Sequence, residues 1–95
     1  MPMYDPPHPG EALREDVLPE IGMNLSQLAQ HIGYASDSVA NVLNGQAPIT
    51  ADLAYRLELA GIGRARQYLA EQAAYDLWQA EHRSTHPPIA RLQFA

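Results

Sequence analysis

Between Asn24 and Gly45 the sequence leaves room for two short helices joined by a tight turn, and for little else. Asn24 followed three residues later by Gln27 has the pattern of a capping box, in which each side chain satisfies a backbone N–H that the helix start leaves orphaned. Leu25, Leu28, Ala29 and Ile32 then recur at helical spacing until Gly33, which predicts a helix over about 24–32. A second start, with Ser36 as its cap, leads into Val39, Val42 and Leu43, and Asn44-Gly45 stops it with residues able to take a left-handed backbone. Two helices that cross this closely need a small residue where the second passes over the first, which is Ala29. They need a residue tolerant of positive φ four positions later, Gly33, and two aliphatics one turn apart on the second helix, Val39 and Val42. Those four residues, in that order between capped short segments, predict a helix-turn-helix scaffold. The alternative that the spacing leaves open is an ordinary helical hairpin in an all-α domain.

The flanking segments are also helical. The Pro-rich stretch from Pro2 to Pro9 cannot start as a helix, so entry falls at His8-Pro9-Gly10-Glu11, with Pro at an early helical position and acids in the first turns. Ala12, Leu13, Val17 and Leu18 form an apolar stripe that Pro19 and Gly22 are expected to close. After the loop at Pro48, Thr50 caps a segment with Leu53, Ala54, Leu57 and Ala60 on one face, ending near Gly61-Ile62-Gly63. The last and longest helix is expected over about 64–83. Leu69, Ala73, Leu77 and Ala80 form one stripe there, and Tyr68, Tyr75 and Trp78 a neighbouring one. This is more apolar surface than one edge of a small bundle can bury, so the three aromatics are read as core in part and as a subunit or partner contact in part. Ser84-Thr85-His86-Pro87-Pro88 breaks the helix, and residues 89–95 read as a tail or as a strand added to a partner. The expected layout is an N-terminal Pro-rich arm over 1–8, a helix-turn-helix domain over 9–83 and a C-terminal tail over 84–95.

Composition narrows the function. A chain of 95 residues fits one domain that buries roughly 60–65% of its unfolded surface, a modest core that dimerisation would help. It has no cysteine, which excludes thiol catalysis and cysteine-based metal sites, and no apolar run of the roughly 18–20 residues that span a bilayer. The sequence therefore reads as soluble and cytoplasmic. His82 and His86 stand at i, i+4 without an evident third ligand, and Glu11 and Glu15 read as an acidic face complementing a helix dipole. No phosphate-loop glycine pattern and no nucleophile in a catalytic context is present, so no metal, no cofactor and no enzymatic activity are expected. The formal net charge is -5, with six cations that are all Arg and none between Arg14 and Arg56, where Glu15, Asp16, Glu20, Asp37 and Asp52 fall. Taken alone, this distribution argues against a polyanionic partner. The acidic early face of Glu11, Glu15, Asp16 and Glu20 is either an ordinary solvated surface or one that steers a basic protein.

The stretch His8-Pro9-Gly10-Glu11, the segment Asn24 to Gly45 and the late run Gln72-Ala73-Ala74-Tyr75-Asp76-Leu77-Trp78 together resemble the HigA/VapI-type antitoxins of the XRE, lambda-repressor-like superfamily, over residues 8 to about 83. The resemblance implies an all-α, five-helix lambda-repressor-like DNA-binding domain with a longer C-terminal helix. It implies a homodimer that neutralises a small basic RelE-fold ribonuclease toxin and represses its own operon. Carried over, the recognition helix is Ser36 to Leu43, with Ser36, Asp37, Ser38 and Asn41 at base edges. Phosphate contacts fall to Asn24, Asn44, Gln46 and Thr50. Members of the family often carry Arg where Asn41 stands and Lys or Arg where Gln46 stands. Their absence predicts a shallow salt dependence and a need for two half-sites engaged together. Arg56, Arg64 and Arg66 are either backbone contacts at the rim or solvated helix ends. The competing functional readings are a stand-alone XRE-type repressor and a helix-turn-helix-derived protein-interaction module with weak or no DNA binding.

Overall fold

The computed structural model describes residues 5–83 and 85–93, and these form five helices with no strand among the described residues. The expectations placed on residues 1–4, 84, 94 and 95 lie outside them. Helix α1 is built of three consecutive pieces, α-helical Pro9–Ala12, a π-helical turn Leu13–Val17 and α-helical Leu18–Ile21. Pro19 therefore does not close this helix, contrary to the sequence reading. In a regular α-helix its ring would clash with the carbonyl four residues back. The wider turn, in which the Leu18 N–H donates to the Leu13 carbonyl, carries the chain past the proline. The helix stops at Gly22, the other residue expected to close it, whose φ of 71° is left-handed.

Helices α2 (Leu25–Ile32), α3 (Ser36–Leu43), α4 (Ala51–Leu59) and α5 (Ala65–His82) follow. The capping box of α2 is present in both directions, with Gln27 N donating to Asn24 Oδ1 at 2.8 Å and Asn24 N to Gln27 Oε1 at 2.9 Å. At α4 the Leu53 N–H donates to Thr50 Oγ1 at 3.2 Å. The cap expected from Ser36 is not made. Ala35 occupies the N-cap position of α3 in extended backbone, so Ser36 is already the first helical residue and its hydroxyl is one residue too late to cap.

The core is one cluster drawn from four helices and one loop: Leu13 and Leu18 of α1, Leu28, Ala29 and Ile32 of α2, Val39, Val42 and Leu43 of α3, Ile49, and Leu53, Ala54 and Leu57 of α4. Helix α1 crosses α3 at Gly10 with no room for a side chain. A Cβ built there would overlap the Val42 carbonyl oxygen and lie 2.8 Å from its carbon and 3.0 Å from Leu43 Cα. The long helix α5 packs on α4 and reaches α1 while burying only Gln72 fully. Residues 85–93 have no regular structure and are exposed, including Ile89 and Leu92.

Candidate nucleic-acid interface

Helix α3 has two unlike faces. Val39, Val42 and Leu43 are buried in the core, while Ser36, Asp37, Ser38 and Asn41 are all exposed on the opposite side. The scaffold residues meet as the spacing requires: Ala29 is wholly buried, and Gly33 ends α2 at a φ of 76°, where an L side chain would be strained. The turn is closed by the Tyr34 N–H donating to the Ala29 carbonyl at 2.8 Å. Beyond α3 the loop folds back on the helix end, with the Gln46 and Ala47 amides donating to the Asn41 carbonyl at 2.7 and 3.1 Å. Asn24, Asn44, Gln46 and Thr50 are exposed at helix starts or in this loop, and the Asn24 and Thr50 oxygens also serve as caps.

Arg14 and Arg56 are turned onto the protein. Arg14 Nη1 reaches the Leu43 carbonyl at 3.4 Å and Asn44 Oδ1 at 3.5 Å, at the C-terminus of α3. Arg56 Nη1 donates to the Ile32 and Gly33 carbonyls at 3.0 and 3.1 Å, at the C-terminus of α2. Each arginine thus supplies positive charge and donors where a helix ends with unsatisfied carbonyls and a negative dipole. Arg56, read from the sequence as either a rim contact or a solvated helix end, is thus engaged within the chain. Arg64 and Arg66 are exposed at the start of α5.

The aromatic stripe is engaged within the chain itself. The Tyr68 hydroxyl donates to the Ile62 carbonyl at 2.8 Å. The Tyr75 ring meets His8 edge-on at a centroid distance of 5.0 Å. Trp78 stacks on His82 at 4.2 Å with Arg83 over it at 5.2 Å, and its indole N–H, though buried, has no acceptor among the described residues. Among the described residues of the helical domain, the exposed large apolar side chains are Ile21 on α1, Tyr55 and Leu59 on α4 and Leu69 and Leu77 on α5.

Two residues that sequence reasoning did not single out hold the site in place. His8 is buried and caps α1, its Nδ1 accepting from the Gly10 N–H at 3.0 Å. Burial pushes its pKa below the ordinary value, against the opposing pull of a hydrogen bond to the Ala47 backbone and the charge of Asp76. Gln72 is the one buried polar residue of α5. Its Oε1 accepts from the Ile49 N–H at 2.8 Å and its Nε2 donates to Asp76 at 2.9 Å, which ties the loop after α3 to the long helix. The only signal for either was membership in motifs shared with a family, since neither lies in a periodic apolar pattern.

No helix among the described residues is long and apolar enough to cross a membrane. No protein-family model matches the chain. Among curated proteins it is 39% identical over 74 residues to virulence-associated protein I of Dichelobacter nodosus, covering 78% of this chain and 68% of that protein. Among solved structures it superimposes on antitoxin GraA with a TM-score of 0.80 and 36% identity, covering 85% of this chain and 87% of that one. It also superimposes on the Pseudomonas aeruginosa antitoxin HigA, determined with the higBA promoter, with a TM-score of 0.74 and 27% identity over 88% of this chain and 99% of that one. The two solved structures are antitoxins by name. With the capped α2 turning tightly into α3, the exposed polar face of α3 and this agreement over most of its length, the chain belongs to the HigA-type antitoxins of the XRE helix-turn-helix family.

Proposed function

We propose that this protein is the cytoplasmic antitoxin of a toxin–antitoxin pair. It binds the operator of its own operon as a dimer through α3, and it neutralises a small basic ribonuclease toxin of the RelE fold. The observation that carries the DNA half is the face formed by Ser36, Asp37, Ser38 and Asn41, which is exposed on a helix whose other side is locked in the core. Asn41 suits bidentate pairing with adenine, the serines pair with several bases, and Asp37 accepts from a cytosine amino group. Asn24, Asn44, Gln46 and Thr50 flank that face and supply neutral phosphate contacts. Dimerisation falls to α5, where the exposed Leu69 and Leu77 leave apolar area to be covered on the helix that also carries Tyr68, Tyr75 and Trp78. The toxin's site is assigned to the exposed acids Glu11, Glu15, Asp16 and Glu20 of α1, by charge complementarity with a basic partner.

The test is titration onto a duplex carrying the region upstream of its own gene at low salt, with and without the product of the adjacent gene. Asn41→Ala and Ser38→Ala should each weaken binding by roughly 5- to 100-fold, the worth of one good base contact. Binding indifferent to both would remove α3 as the reading helix. A second reading, an interaction module that keeps the scaffold without reading DNA, is favoured by the absence of Lys and Arg between Arg14 and Arg56. Failure to bind the duplex in any condition, with retained affinity for the neighbouring gene product, would establish it.

A further inference from the structure

Where α4 meets the turn between α2 and α3, three side chains converge on a small volume. Arg56 Nη1 donates to the last two carbonyls of the α2 end, Ile32 and Gly33, while its Nε reaches Asp52 Oδ2 at 3.0 Å. The Tyr34 hydroxyl donates to the same Asp52 oxygen at 2.8 Å, and the guanidinium lies 5.0 Å from the centroid of the Tyr34 ring. The contact is close enough that a Cβ on Gly33 would stand 3.1 Å from Arg56 Nη1. The end of α2 and the first two residues of the turn are thereby tied to α4: Ile32 and Gly33 by their carbonyls, Tyr34 by its ring and its hydroxyl.

The cluster is largely solvent-exposed, with Arg56 and Asp52 side chains 40% and 64% accessible, so its ion pair adds little to global stability. Its geometry is nonetheless specific. One planar fork serves two carbonyls, a carboxylate and an aromatic face at once, and a lysine ammonium cannot reproduce that arrangement. Ser36, the first exposed residue of the reading face, follows Tyr34 by two positions. The pitch at which α3 leaves the turn therefore depends on this clamp.

We propose that Arg56, held by Tyr34 and Asp52, is a positioning residue for sequence reading: it sets the pose of Ser36, Asp37, Ser38 and Asn41 through the turn and makes no phosphate contact of its own. The inference rests on the reading of α3 as the DNA-recognition helix. It separates two roles that a lone arginine near a DNA-binding face would otherwise confound. A phosphate contact contributes to every duplex and to the salt slope, whereas a positioning residue contributes only where base edges are read.

The experiment compares wild type, Arg56→Gln, Arg56→Lys and Tyr34→Phe. Each is titrated over a salt series onto the upstream duplex and onto a scrambled duplex of equal length, at a temperature where circular dichroism shows all four folded. Arg56→Gln and Arg56→Lys should each lose roughly tenfold or more in affinity for the upstream duplex, and Tyr34→Phe less. Binding to the scrambled duplex and the slope of log affinity against log salt should stay at wild-type values. Unchanged affinity for the upstream duplex, a salt slope reduced by about 1, or full rescue by lysine would each overturn the proposal. If wild type prefers neither duplex, the reading of α3 fails and takes this inference with it. Wild-type preference retained in Arg56→Gln sinks the inference alone.

Discussion

Replacing Gly10 by alanine adds one methyl group, and intrinsic helix propensity alone predicts that it should stabilise the protein by roughly 0.5–1 kcal/mol. The structure predicts the opposite sign. The new Cβ would overlap the Val42 carbonyl oxygen and stand 2.8 Å from its carbon. These atoms belong to the backbone of α3, so no side-chain rotation can relieve the contact, and α1 itself must withdraw. Overpacking of this kind costs about 1–3 kcal/mol where neighbours give way. Withdrawal of α1 also uncovers part of Leu13, which is 2% exposed, at up to about 1.5–3 kcal/mol for a full leucine side chain. A net loss of about 3 kcal/mol is expected, which for a domain of this size lowers Tm by roughly 10–25 °C. Urea denaturation followed by far-ultraviolet circular dichroism at fixed protein concentration measures it. Gly22→Ala is the internal control. A Cβ there meets nothing within 4 Å, but φ is 71°, so only a left-handed backbone penalty of about 1–2 kcal/mol applies. A Gly10→Ala protein as stable as wild type, or less affected than Gly22→Ala, would refute the assignment of the α1–α3 crossing.

His8 and Gln72 give two further tests. Because burial lowers the folded-state pKa of His8 below 6.5, its stabilising contribution is complete above pH 6.5. It falls as pH drops through the window between that value and the lowered folded one, where the unfolded chain binds the proton more readily. His8→Asn, which can still cap α1, should flatten that part of the pH–stability curve, and an unchanged slope would remove His8 as its source. Gln72→Ala leaves the Ile49 N–H buried without an acceptor and should cost about 1–3 kcal/mol in urea denaturation.

What could be read from the sequence was local. Asn24 with Gln27 and Thr50 with Leu53 are contacts between residues three apart, and their geometry follows from helix-start stereochemistry alone. The burial of Ala29, Val39 and Val42 likewise follows from periodicity once the turn is placed. Pro19 misled because a rule for regular helices does not anticipate a π-turn that absorbs the ring. The roles of Arg14, Arg56 and Gln72 were not legible, since their partners lie 29, 24 and 23 residues away. Of these, Arg56 matters most to the proposal, because its Nη1 and Nε face Ile32, Gly33 and Asp52.

Trp78 is the only tryptophan in the chain, and its position decides what its fluorescence can report. It stacks on His82 and lies under Arg83, whose Nη2 holds Asp5 at 3.1 Å, so its surroundings are the junction between the N-terminal arm and the end of α5. That junction is remote in sequence from the helix-turn-helix. A melt followed by tryptophan emission therefore records the opening of this clasp, and one followed by helical ellipticity records the loss of all five helices. If the protein unfolds as a single cooperative unit the two curves coincide. An emission transition that comes first means that the arm and the end of α5 part while α3 is still in place.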